Sequence, residues 1–313
     1  MIIIHKRVEI LKYIFGPVKS RRFGLSLGID LSPDFKSCNF DCLYCELNRG
    51  EPVNRIVNEP PVDQIVKEVK EYLEKNDHPD VITVTSNGEP TLYSQLDSLI
   101  DILNSIKGRS KTLILSNGST IYRRDTQNIL KKFDIVKISL DTVDEKTFRK
   151  IDRPSDDISL SQIIKGLKTF RDIYRGELVI EIMVVKGIND STLEMEKIAE
   201  VLKNIKPDRI DIGTVDRPPA YRVRPVSDEE LFKLSEIFEG FNINVVTRGN
   251  DGIVEKRKLS EDQILKTLKR RPFTYSDIES IFDRETAQRT YRLLKEGILK
   301  TKKVGSVTFI YSD

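Results

Sequence analysis

Between residues 25 and 247 the chain alternates short runs of Val, Ile and Leu with longer amphipathic stretches. That alternation limits the fold more than any other feature. Period-two or β-branched runs predict strands at 25–31, 81–85, 112–115, 135–141, 178–185, 209–214 and 242–247. Helical spacing predicts helices at 61–75, then to 106, and at 124–132, 161–174, 192–205 and 228–238; Ile65, Val66, Val69 and Leu73 share one face of the first. Residues 8–15 suit a strand or a helix equally, and 16–24 read as a basic, turn-rich segment. Such β-then-α repetition implies a parallel sheet with right-handed crossovers, either open and doubly wound or a partial barrel. Polar turns close the strands: Ser86-Asn87-Gly88-Glu89-Pro90-Thr91, Ser116-Asn117-Gly118, Lys186-Gly187-Ile188-Asn189-Asp190 and Arg217-Pro218-Pro219. Both architectures place their sites at such strand ends.

The loop after the first strand holds every cysteine in the 313 residues: Cys38, Cys42 and Cys45. A structural zinc site wants a fourth ligand, and the only histidines, His5 and His78, are distant in sequence. Three thiolates suit a [4Fe–4S] cubane better, leaving one iron open to an outside ligand. Thiols clustered in this way, with an N-terminal apolar run too short for a secretory signal, predict a reducing cytoplasm. No apolar run approaches the ~18 residues of a membrane span, so none is expected.

Cysteines spaced by three and then two residues, with Tyr44 before the last, resemble the cluster loop of radical S-adenosylmethionine (SAM) enzymes. The resemblance implies a partial (β/α)6 barrel over residues 1–252, with an N-terminal extension. It implies that Cys38, Cys42 and Cys45 hold a [4Fe–4S] cluster whose open iron chelates SAM. Reductive cleavage of SAM to a 5′-deoxyadenosyl radical would follow, and then hydrogen abstraction from a substrate. Gly88-Glu89-Pro90 resembles the family's Gly-Gly-Glu motif for the SAM amino group, with Asn87 replacing the first glycine. Asn117 stands in a turn similar to the family's Thr-Asn-Gly, and Ser139 and Asp141 resemble its ribose and carboxylate contacts. Glu181, costly to bury unpaired in an apolar strand, joins the SAM-facing set and is expected beside Lys137 or Arg217. Arg22, with Arg21, could neutralise a carboxylate, a phosphate or the cluster surroundings, or form a solvated turn. The same two readings hold for Arg217, Tyr221, Arg222 and Arg224. The chain is similar to a branch near the wyosine-synthase-like group, but lacks the cysteines for that group's second cluster.

Composition shifts near residue 256. From there to the end, 14 Lys and Arg face 8 Asp and Glu, a net +6 against +3 for the whole chain. Helices are expected at 261–270, 275–281 and 284–296, with a hairpin at 298–302 and 307–311 around Gly305. This pattern predicts a small winged-helix domain over 256–313. Arg284, Arg289, Arg292, Lys295, Lys300, Lys302 and Lys303 would form a phosphate footprint. The combined expectation is an enzyme that abstracts hydrogen from an unidentified substrate, RNA or a nucleotide first, fed by a flavodoxin- or ferredoxin-type donor. The alternatives are a peptide or protein substrate, or a winged-helix regulator that senses SAM or redox state through its cluster.

Overall fold

The computed structural model describes residues 12–20, 22–246, 258–270, 272–304 and 307–312. In chain order the larger unit contains β1 (Ile14–Ser20), β2 (Gly24–Asp30), α1 (Val62–Lys75), β3 (Val81–Thr85), α2 (Leu96–Ile106), β4 (Lys111–Ser116), α3 (Arg124–Leu130), β5 (Ile135–Ser139) and α4 (Glu145–Ile151). It continues with α5 (Leu160–Ile173), β6 (Glu177–Val184), α6 (Thr192–Ile205), β7 (Arg209–Thr214), α7 (Asp228–Ser235) and β8 (Ile243–Val246). The eight strands form one curled half-barrel sheet in sequential order. Strands β2 to β8 pair in parallel, and β1 pairs antiparallel with β2.

The strand side chains covered by helices are apolar, among them Leu27, Ile29, Ile82, Val84, Ile180 and Ile182, whereas the lumen face mixes apolar and polar groups, including Ser26, Thr83, Lys137 and Glu181. On α6, Met195, Ile198, Leu202 and Ile205 are wholly buried against the sheet. Each such side chain contributes about 1.5–3 kcal/mol. Ser191 caps the helix by accepting the Glu194 N–H, and Lys206 ends it in the left-handed conformation.

Two expectations change. The segment read as a turn, 16–24, is mostly strand: β1 absorbs a cis Gly16–Pro17 bond through an irregularity between Phe15 and Val18. Proline is tolerated there because β1 is an edge. Helix α4 was not expected, since only Phe148 and Ile151 of its seven residues are buried. Arg21, residues 8–11, the junction at 252–256 and Gly305 lie outside the described residues.

The C-terminal elements are α8 (Glu261–Arg270), β9 (Phe273–Thr274), α9 (Tyr275–Ile281), α10 (Arg284–Lys295), β10 (Lys300–Val304) and β11 (Val307–Tyr311). Their strands form a separate sheet ordered β10–β11–β9. Their core, with Ile264, Leu268, Phe273, Phe282 and Leu293, is separate from that of the barrel.

Candidate active site

The cysteine loop leaves β2 and is held on two sides. On one, Ser37 forms a parallel bridge with Gly88, donating its N–H to the Asn87 carbonyl at 2.8 Å and accepting the Glu89 N–H at 2.9 Å. A Cβ at Gly88 would overlap the Ser37 carbonyl, and φ is +152° there, so glycine is required. On the other side, the Asp41 and Leu43 N–H groups reach the Asp152 and Ile151 carbonyls at 3.1 and 2.8 Å. The unexpected α4 therefore ends where it supports the cysteines.

Cys38 accepts the Phe40 N–H at 3.4 Å and faces the Asn117 amide at 3.7 Å; Cys42 contacts Asp152 at 3.5 Å. Burial pushes the Cys38 thiol up to about 12, helped by the Glu89 carboxylate. Burial also raises Cys42, with Asp152 adding to it, and Cys45. The protein alone thus keeps these groups protonated, and a bound metal centre must displace the protons. Among the described residues no three His, Cys, Asp or Glu side chains converge on a single-ion site. Three thiols on one half-buried loop are the donor set a cubane with one open iron requires, so the residues fit the cluster.

The strand-end motifs meet over this loop. Glu89, 1% exposed, accepts the Thr91 N–H and hydroxyl, the Ser116 hydroxyl and the Asn117 N–H. Its carboxylate is occupied with shaping two turns. Pro90 opens a short 3-10 turn that ends the motif. Asn117 donates to Asn39 Oδ1 at 2.9 Å, aligning its turn with the cysteine loop. Ser139 ends β5 and lines a small cavity with Phe40, Tyr44, Asn117 and Asp141. Asp141 lies beyond the strand; it accepts the Met183 N–H at 2.7 Å and the Tyr44 hydroxyl. Burial raises Asp141 to about 6. Burial and Asp141 together push Asp152 well above the usual carboxylate range, so this adjoining pair favours holding a proton.

Glu181 sits lower in the lumen. It pairs with Lys137 at 2.8 Å, as expected, and with Arg22 at 2.8 Å. Arg217, the other expected partner, instead lies 3.3 Å from Glu46 and donates to the Pro272 carbonyl. Asp211 extends the network to Lys137 at 3.2 Å and Arg209 at 2.9 Å. The register carries this arrangement, since Glu181 is opposite Asp211 on neighbouring strands. A cavity of about 470 Å³ runs from Tyr44 and Cys45 to Arg22, Lys137, Glu181 and Met183. Its width depends on Gly28, where a Cβ would overlap the Phe15 ring.

The residues sequence reasoning missed are Lys36, Asp41, Asp152 and the role of Tyr221. Tyr221 donates to Asp41, and its ring has the Arg49 and Arg153 guanidiniums 4.3 and 4.6 Å away. The Ala220 N–H reaches the Cys45 carbonyl at 2.9 Å. The loop after β7 thereby covers the cysteines. The motif Arg217-Pro218-Pro219 and the cluster of Arg217, Tyr221, Arg222 and Arg224 were the sequence signals there. In the C-terminal unit, Arg289 donates to the Leu259 carbonyl, Arg292 pairs with Glu261, and Lys302 reaches the Pro219 carbonyl at 3.0 Å. Arg284 and Lys295 are exposed; the Lys303 side chain lies outside the described residues.

The profile of the Radical SAM superfamily matches residues 33–202. A UPF0026 protein of Helicobacter pylori is 41% identical over 303 residues, covering 96% of this chain and 98% of its own. A UPF0026 protein of Methanocaldococcus jannaschii is 36% identical over 230 residues, 72% of this chain and 70% of its own. The crystal structure of Streptococcus suis SuiB bound to S-adenosylmethionine matches with a TM-score of 0.57 at 21% identity, over 72% of this chain and 51% of SuiB. That last likeness is one of fold.

Proposed function

The chain belongs to the radical SAM superfamily, among its UPF0026 relatives, and on that premise we propose that it abstracts a hydrogen atom from a small group inserted into the half-barrel lumen. It is an enzyme with a [4Fe–4S] cluster and SAM as cofactors. When bound and reduced, the cluster would supply one electron for reductive cleavage of the SAM sulfonium bond, the source of the radical that would take hydrogen from the substrate. The protein's own part is placement. Cys38, Cys42 and Cys45 hold the cluster. The main chain at Gly88, with Glu89 and Pro90 fixing its turn, meets the SAM amino group. Asn117, Ser139 and Asp141 line the side toward the ribose and carboxylate. Glu181, tied to Lys137 and Arg22, lines the same lumen and would complete the SAM-facing set.

One observation carries this reading: the cysteine loop, the Gly88 turn and the Asn117 turn are bonded to one another, and Cys45 and Asn87 of the first two line a 470 Å³ cavity. A cavity that size takes a small molecule or one residue of a larger one. The C-terminal unit, which we read as a winged helix over 256–313, would present an RNA at that mouth. Its net +6 supports this. A flavodoxin- or ferredoxin-type protein would supply the electron.

The test is anaerobic cluster reconstitution, dithionite reduction and addition of SAM, with 5′-deoxyadenosine quantified with and without cellular RNA. Release is expected, greater with RNA. No release from a reducible cluster in any substrate pool would overturn hydrogen abstraction; release indifferent to RNA would overturn the RNA substrate alone.

A further inference from the structure

Lys36 lies two residues before the first cysteine, and its ammonium is 2.9 Å from Asp41 Oδ1. Asp41 in turn stands between Cys38 and Cys42. Both side chains are nearly enclosed, at 12% and 7% exposure. Gly50 packs over the lysine stem: a Cβ there would come within 3.4 Å of Lys36 Cδ. Asp41 also accepts the Gly50 N–H at 3.3 Å and the Tyr221 hydroxyl, and Arg153 lies 3.5 Å away. The pair is therefore fixed within the cysteine loop, where water screens it poorly. Lys36 is two residues from Cys38 and Asp41 adjoins Cys42 in the chain, so both charges belong to the loop that carries the cysteines.

A charge that favours a thiolate also favours an added electron. The potential of an iron–sulfur centre depends on net charge, hydrogen bonds to sulfur and solvent exposure. A cation held in a poorly screened site stabilises the reduced state, and a carboxylate beside it works the other way. We propose that Lys36 and Asp41 are positioning residues that set the reduction potential of the cluster, Lys36 raising it and Asp41 lowering it. This rests on Cys38, Cys42 and Cys45 being the cluster ligands.

The test is an EPR-monitored redox titration of the reconstituted full chain without SAM. Lys36→Met should move the midpoint to a more negative value by at least a tenfold change in the reduced-to-oxidised ratio, about 59 mV for a one-electron couple. Asp41→Asn should move it to a more positive value. The double variant should fall between the two, and Lys36→Arg should stay near the wild type. A merely structural pair would not give shifts of opposite sign. Both single variants moving in one direction, or neither moving with the cluster loaded, overturns the proposal. If Lys36→Met takes up no iron, Asp41→Asn decides: no positive shift overturns it. A Cys42→Ala variant that still holds a full cluster overturns the ligand assignment instead.

Discussion

The Glu89 carboxylate accepts the Asn117 N–H at 2.6 Å, so the end of β3 is bonded directly to the end of β4. The same group takes the Ser116 hydroxyl at 2.7 Å and two donors from Thr91. Two strand-end turns therefore share one acidic residue. Leaving a buried donor unmade costs about 1–3 kcal/mol. Glu89→Ala strands several at once and should lower stability by about 3–5 kcal/mol in urea unfolding. Glu89→Gln keeps one acceptor oxygen and should lose about half as much. Equal stability of the two variants would show that the carboxylate does not tie the turns together.

Asp211 is fully buried among Lys137, Arg22 and Arg209. Burial alone would raise its pKa, but the three cations outweigh that and hold it below the usual value. Asp211→Asn leaves an excess of buried positive charge and should cost about 3–5 kcal/mol. Adding Lys137→Met removes one of those charges and should restore part of the loss. Unfolding curves of the single and double variants measure both; a double variant weaker than the sum of the singles would contradict the charge argument.

Away from the site, Asp134 accepts the Thr112 N–H at 2.7 Å and pairs with Lys107 where β4 and β5 begin. Burial works to raise its pKa, but Lys107 and Thr112 hold it below the ordinary carboxylate value. Its stabilisation is therefore complete above that ordinary value and is lost as pH falls through the folded-state pKa. Asp134→Asn should flatten the acid limb of stability against pH and leave the neutral-to-alkaline part parallel to the wild type. Thermal melts across the acid range test this; an unchanged acid limb excludes it.

The RNA binding proposed for the C-terminal unit should depend on its exposed cations. Arg292 is paired with Glu261 and also lies 3.8 Å from Glu296, whereas Arg284 and Lys295 are exposed. Each phosphate contact to single-stranded RNA contributes about 0.7 to the log–log salt slope. Arg284→Ala and Lys295→Ala should each reduce the slope by about that amount, and Arg292→Ala should change it little. Filter binding at several salt concentrations decides the matter; three identical slopes would refute the assignment.

Much of the fold was legible because strand ends carry their own punctuation. The Val81 to Thr85 run is β-branched and stops at a Gly-containing turn, and the strand was found with its bounds intact. The Gly16-Pro17 segment misled because local turn chemistry was overridden by pairing with β2 at a sheet edge. Lys137 was foreseen as a Glu181 partner because burying a charge in an apolar strand demands one. Arg22 was read as a cation for a carboxylate, but that its partners are Glu181 and Asp211 depends on strand register and on a hairpin reaching across the lumen, which a linear pattern does not show. Tyr44 meeting Asp141 across 97 positions, and Tyr221 meeting Asp41 across 180, are likewise products of tertiary closure.

The Phe15 ring occupies the space that a side chain at position 28 would take. Lumen width is thus set by two positions on neighbouring antiparallel strands, one aromatic and one without a side chain. Trimming the ring enlarges the chamber without touching the cysteine loop, and enlarging position 28 demands a smaller partner at 15. Lumen size can accordingly drift by paired substitutions while the cysteine loop stays unchanged, an adjustable caliper for divergence or for redesign.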